Sequence, residues 1–168
     1  MDRTEETLER IYRTHCLTVY RLALARCGGK EENAKDVYGE VFYRLLKYLS
    51  RGGSFREEEH EKAWLIRTTI NCAKVVLRTY RSENTEISPR EFALRIDGGT
   101  SEVYDAVMRL PEKYRVVIHL YYYEGYHVKE IASILGRSEG TVKAQLSRGR
   151  DKLKNELEGD VFYEFGGI

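Results

Sequence analysis

Cationic side chains recur between residues 62 and 81 at a spacing suited to binding phosphate groups. This segment contains no acidic residue, and a helix advances about 100° per residue, so its later cations share one narrow strip. The strip comprises Arg67, Lys74, Arg78 and Arg81. Trp64 and Asn71 flank it, and an indole ring and an amide can stack on unpaired bases or hydrogen-bond to them. The pattern predicts a surface for a nucleic-acid backbone, and a solvated face with Trp64 at the edge of the core fits these residues equally well.

A second cationic segment lies in "VKEIASILGRSEGTVKAQLSRGRDKL", residues 128–153. Gly136 predicts a turn between two helices, and Ser138 is a suitable N-cap for the second one. On that helix the inward positions are Val142, Leu146, Gly149 and Leu153, and the outward positions are Gly140, Lys143, Ala144, Ser147, Arg148 and Asp151. Small residues among cations on the outward face favour entry into a DNA major groove, and a helical hairpin without a DNA role would not require them. The segment predicts a helix-turn-helix.

The chain as a whole is nearly neutral, with a formal net charge of +1 over 168 residues. Its acidic residues cluster beside the two cationic segments, which favours phosphate contact at two separate places. The N-terminal stretch "MDRTEETLERIY" is charged where a signal peptide needs an apolar core, and no apolar run reaches the length of a membrane span. We therefore expect a cytoplasmic protein that does not insert into a membrane.

Apolar periodicity predicts an all-α fold of two small helical domains. Stripes over 8–23 and 34–49 predict two helices, the second with Leu45, Leu46 and Leu49 facing inward. The loop "GGSFREEEHEK" leads to a third helix from about Lys62 to Arg81. We interpret the acidic run before it as a solvated helix start and not as a metal site. The polar segment 82–102 predicts a flexible linker, in which 92–96 could form one docked turn.

Four helices are expected after the linker, and together they form a helix-turn-helix bundle. A short helix over 103–110 is broken at Pro111, which suits the start of the next helix. That helix ends at Gly125 and buries Tyr114, Val117, Ile118 and Tyr121. The helix-turn-helix follows it. An aromatic tail, 160–168, is expected to pack on its own domain or on a partner.

Four stretches in this order resemble the extracytoplasmic-function (ECF) sigma factors, the minimal promoter-specificity subunits of RNA polymerase. They are "KDVYGEVFYRLLKY", "AWLIRTTINCAKVVLR", "LPEKYRVVIHLYYYEGY" and the helix-turn-helix stretch quoted above. The resemblance implies a region 2 domain at 1–81, for polymerase clamp binding and the −10 element. It implies a linker at 82–102, directed toward the RNA-exit path, and a region 4 domain at 103–168 for the −35 element.

The resemblance also implies partners and a role for individual residues. The partners are core RNA polymerase, through its β′ clamp and β flap, promoter DNA, and an anti-sigma factor of the kind that holds many relatives. Clamp binding maps to Asp36, Gly39, Glu40, Tyr43 and Arg44. Reading of the melted −10 strand maps to Phe55, Arg56, Trp64, Arg67, Asn71, Lys74 and Arg78. Reading of duplex −35 DNA maps to Thr141, Lys143, Gln145, Ser147 and Arg148.

Several positions depart from the family's usual pattern. Gly39 stands where the family usually has glutamine, and Val75 where asparagine or aspartate is common. Ala144 replaces a common serine, and His127 replaces the usual serine-like cap of a helix, where we expect a weak cap. These departures concern clamp binding and the promoter sequence that is read.

Two other functional classes compete with a promoter-specificity subunit that is not an enzyme. A recombinase-like enzyme would need a nucleophile or a metal cluster, and Ser54 near Arg51 and Arg56 has no base beside it. Cys16, Cys27 and Cys72 form no CxxC pair, which predicts buried, reduced thiols and no metal or cofactor. A dimeric repressor or activator would use the C-terminal half alone and would leave the 36–48 and 64–78 segments without a purpose.

Overall fold

The computed structural model describes residues 2–79 and 102–157, and the regular elements within these ranges are all helices. The helices are α1 (Arg3–Arg26), α2 (Glu31–Ser50), α3 (Glu58–Thr79), α4 (Glu102–Arg109), α5 (Glu112–Ile118), α6 (Val128–Leu135) and α7 (Glu139–Leu157). A π-helical turn, His119–Tyr123, continues α5. The helices divide into two compact units, α1–α3 and α4–α7. The predicted all-α class is confirmed.

The first unit is a three-helix arrangement in which every helix contacts both others. Its core is formed by the apolar stripes predicted from the sequence, and large side chains such as Ile11, Leu22, Leu45, Leu65 and Ile70 are completely or almost completely buried. Burial of each such side chain contributes about 1.5–3 kcal/mol. Tyr12 and Leu46 are exceptions to the predicted stripes, since they are 44% and 39% exposed.

The acidic run before α3 is only partly the solvated helix start that the sequence suggested. Helix α3 begins at Glu58, a turn earlier than expected, and Glu58 and Glu59 are exposed. Glu61 is buried, because the Arg10 guanidinium on α1 donates two hydrogen bonds to its carboxylate, one of them at 3.1 Å. The Nε2 atom of the buried His15 lies 3.6 Å from the same carboxylate. This polar cluster fastens the start of α3 to α1.

The second unit packs α5 and α7 closely. Pro111 is the N-cap of α5, as predicted. A Cβ atom added at Gly149 would lie 3.2 Å from Ile118 Cγ1, so the close approach of the two helices requires a small residue there. Burial is confirmed for Tyr114 and Ile118, as for Val117.

Burial of Tyr121 was predicted and is wrong, since this side chain is only half-buried. The π-helical turn changes the hydrogen-bond pattern after Ile118, and the Glu124 N–H donates to the His119 carbonyl. In a π-helical turn each N–H donates to the fifth preceding carbonyl instead of the fourth. The turn is therefore wider, and its side chains are rotated away from their α-helical positions. His119 and Leu120 are buried instead.

Some expectations lie outside the described residues: Arg81, the linker over 82–101 with its docked turn, and the aromatic tail. Within 2–79 and 102–157, no helix has the length and apolar character needed to cross a membrane.

Candidate nucleic-acid and polymerase interfaces

The cationic strip on α3 is exposed along its described length. Arg67, Lys74 and Arg78 all face solvent, and Asn71 is exposed between them. The opposite face of α3 is buried against α1 and α2 through Leu65, Ile66, Thr69 and Ala73. The face arrangement predicted from the helical period is therefore confirmed for residues 64–78.

Three aromatic rings meet beside this strip. The ring centroids of Phe55 and Trp64 are 5.9 Å apart, and Tyr48 lies 5.1 Å from Phe55 and 5.5 Å from Trp64. All three side chains are half-buried. We call this group the aromatic trio. Partly exposed rings next to cations can stack on bases while the cations bind the backbone.

Tyr48 was missed by the sequence reasoning, and it holds the loop that carries Phe55. Its hydroxyl donates to the Ser54 carbonyl oxygen at 2.9 Å. A Cβ atom at Gly53 would lie 2.6 Å from the Tyr48 ring, so the loop passes too close to the ring for a side chain. The paired glycines after Tyr48 were the available signal, because they permit this approach.

A cavity of about 480 Å³ lies between this loop and α1. Its lining includes Thr7, Arg10, Ser54, Phe55 and Glu61. The loop and the Arg10–Glu61 ion pair therefore border the same space.

The predicted clamp-binding residues share one exposed side of α2. Asp36, Gly39, Tyr43 and Arg44 are exposed, with Tyr43 at 55%, and Glu40 accepts a hydrogen bond from Arg44 Nε at 2.7 Å. Among the described residues, no atom outside the helix lies within 4 Å of a Cβ atom added at Gly39. A longer side chain would fit there, and the exposed Leu46 extends this face by one turn.

The turn of the helix-turn-helix has the predicted local chemistry. Gly136 adopts a left-handed conformation with φ +63° and ends α6. Ser138 Oγ accepts a hydrogen bond from the Thr141 N–H at 3.1 Å, which caps the start of α7. Before α6, the His127 N–H donates to the Glu130 carboxylate at 2.8 Å, so Glu130 supplies a cap contact there.

The outward face of α7 is exposed as predicted. Val142, Leu146, Gly149 and Leu153 are buried, and Thr141, Lys143, Ser147 and Arg148 are exposed. Gln145 differs from the other predicted −35 residues, because it is half-buried and accepts a hydrogen bond from Arg137 Nη1 at 2.9 Å.

In the described part of the chain the three cysteines form no disulfide, and no three His, Cys, Asp or Glu side chains are grouped as metal ligands would be. Cys27 and Cys72 are buried, as predicted, but Cys16 is only half-buried. Burial raises the pKa of the Cys72 thiol.

The chain is similar to known proteins in both of its units. The family model for sigma-70 region 4 matches residues 100–153, which contain the helix-turn-helix. The RNA polymerase sigma factor SigZ of Bacillus subtilis is 32% identical over 135 residues, which cover 74% of this chain and 72% of SigZ. The ECF RNA polymerase sigma factor SigM of Mycobacterium tuberculosis is 28% identical over 155 residues, covering 89% of this chain and 76% of SigM. The chain belongs to the ECF sigma factors.

The fold of this sigma factor resembles that of the sigma factor RpoE from Bartonella quintana, solved in complex with the anti-sigma factor NepR. The TM-score is 0.69 at 22% identity, and the match covers 92% of this chain and 99% of that one. Sigma factors are transcription-initiation proteins and not enzymes, so the recombinase-like alternative is excluded by the family.

Proposed function

We propose that this ECF sigma factor binds core RNA polymerase and directs it to promoters by reading two DNA elements. Residues 1–81 form a region 2 domain that binds the polymerase clamp and captures the melted −10 strand. Residues 82–102 link it to a region 4 domain, 103–168, that reads duplex −35 DNA. The protein acts in the cytoplasm together with the polymerase.

The observation that carries the proposal is the aromatic trio beside the cationic strip of α3. Duplex DNA hides the faces of its bases, so a stacking surface is useful only for a separated strand. Phe55 and Trp64 offer that surface, and Asn71 offers an amide for the base edge. Arg56, Arg67, Lys74 and Arg78 bind phosphates along the strand.

The −35 element is read by α7. Its exposed face combines the cations Lys143 and Arg148 with the small side chains of Thr141 and Ser147, which allows the helix to enter a major groove. Gln145 lies at the edge of this face. The second unit on its own neutralises few phosphates, so its affinity for DNA outside the holoenzyme is expected to be weak.

Core polymerase contacts the two units at different places. Asp36, Gly39, Glu40, Tyr43 and Arg44 bind the β′ clamp, and the second unit binds the β flap. An anti-sigma factor is a further candidate partner.

The test is binding of the reconstituted holoenzyme to a fork-junction promoter whose −10 segment is single-stranded. Arg67→Ala and Lys74→Ala are expected to weaken binding for all sequences and to lower the salt dependence, by about 0.7 in the log–log slope for each phosphate that the variant no longer binds. Asn71→Ala is expected to change the preference at one −10 base. Arg13→Ala on α1 is the matched control for loss of an exposed cation, and equal effects of Arg67→Ala and Arg13→Ala would contradict the assignment.

A further inference from the structure

The hydrogen bond between Arg137 and Gln145 restricts what Gln145 can offer to DNA. Arg137 Nη1 lies 2.9 Å from Gln145 Oε1. A guanidinium has only donors, so the amide atom that faces it must be the oxygen. The free end of Gln145 is then its NH₂ group, which carries donors and no acceptor.

A glutamine that recognises adenine needs both ends of its amide, since it accepts from the adenine amino group and donates to N7. The Arg137 hydrogen bond occupies one of the two lone pairs of the Gln145 oxygen and turns that oxygen toward Arg137, so the NH₂ group is the end of the amide that is left to face a partner. Burial lowers the pKa of the Arg137 guanidinium, but an arginine stays charged at neutral pH and keeps donating. The restriction therefore persists under physiological conditions.

We infer that Arg137 is a positioning residue that makes Gln145 a donor-only contact to −35 DNA, directed at a group that presents only acceptors. Two sources on DNA have this chemistry: the N7 and O6 edge of guanine, and the oxygens of a backbone phosphate. The inference rests on the proposed function of α7, and it adds that Gln145 does not select adenine.

The experiment uses reconstituted holoenzyme and a promoter library randomised in the −35 element, with the bound DNA sequenced. Gln145→Ala is expected to cost roughly fivefold in affinity, the net worth of one hydrogen bond. In the guanine arm the loss is confined to templates with guanine at one position and is reproduced by 7-deazaguanine there. In the phosphate arm the loss is the same for all sequences and disappears when one phosphate is replaced by a neutral methylphosphonate.

The role of Arg137 is tested by asking whether the effect of replacing it depends on Gln145. Arg137 acts through the Gln145 amide. The double variant Arg137→Ala/Gln145→Ala is therefore expected to bind DNA no more weakly than whichever single variant has the lower affinity. Arg137→Lys retains a donor for the amide oxygen and is expected to recover most of the affinity. Lys129→Ala, on the exposed side of α6, is the control for loss of a cation.

Three results would overturn the inference. The first is adenine enrichment by the wild-type holoenzyme that Gln145→Ala abolishes. The second is additive losses in the double variant, and the third is an Arg137→Ala effect equal to that of Lys129→Ala. If the wild-type holoenzyme enriches no −35 motif at all, the proposed function itself fails, which is a distinct outcome.

Discussion

Loss of Arg10 is expected to destabilise the first unit by more than its surface position suggests. The Glu61 side chain is 6% exposed and the Arg10 side chain 53%. Breaking a fully buried ion pair costs about 3–5 kcal/mol, because the remaining charge stays buried without a partner. Since half of Arg10 is in contact with water, which screens the pair, we expect about 2 kcal/mol for Arg10→Ala.

Trp64 provides the assay for this prediction. It is the single tryptophan of the chain and lies on α3, so its fluorescence during urea denaturation reports the free energy of unfolding of the first unit. Arg13→Ala is the matched control, because Arg13 pairs with Glu9 one turn away on the surface of α1. Exposed pairs of this kind contribute about 0.3–0.5 kcal/mol.

The double variant Arg10→Met/Glu61→Leu separates the ion pair from general damage. Replacement of a buried pair by apolar side chains is often neutral, so the double variant is expected to recover most of the loss caused by Arg10→Ala. If Arg10→Ala costs no more than Arg13→Ala, burial of Glu61 does not depend on Arg10. If the double variant loses as much stability as Arg10→Met and Glu61→Leu lose in sum, the proposed coupling between α1 and the start of α3 is refuted.

The remaining predictions concern single positions. Gly39→Ala is expected to stabilise the first unit by about 0.5–1 kcal/mol, because glycine is a poor helix former; Gly39→Gln should in addition bind core polymerase more tightly than Gly39→Ala in a competition assay. Gly136→Ala is expected to destabilise the second unit by about 1–2 kcal/mol in thermal unfolding, since only glycine adopts its left-handed conformation without strain. Tyr48→Phe, which removes only the hydroxyl contact with the loop, should cost about 1 kcal/mol and weaken −10 strand binding, and unchanged binding would contradict its role. Cys72 has a thiol pKa raised by burial, so it holds less thiolate at pH 8 and should be alkylated more slowly than Cys16 in the native protein, as mass spectrometry of iodoacetamide-treated samples would show.

The buried and cationic faces of α3 and α7 could be predicted from the sequence because they follow the regular α-helical period. The same spacing that grouped Arg67 with Lys74 determines which side of α3 packs on its neighbours. Gly136 and Ser138 were also predictable, because a turn and an N-cap depend on local backbone chemistry.

Other features depend on contacts between residues far apart in the chain. Glu61 looked like part of a solvated acidic run, and its partner Arg10 is 51 positions away. Tyr121 was misplaced because one π-helical turn shifts the register, and no residue type marks such a turn. The hydrogen bond that restricts Gln145 comes from Arg137, which the sequence presented only as one more cation.

The role as a promoter-specificity subunit is tested most directly by run-off transcription with purified core RNA polymerase on a pooled promoter library. We predict transcripts only when this protein is added, from templates that share paired −35 and −10 motifs, and none when Trp64 and Asn71 are both replaced by alanine. If no transcript appears and no complex with core polymerase forms, the protein does not act as a sigma factor and the proposed function is wrong.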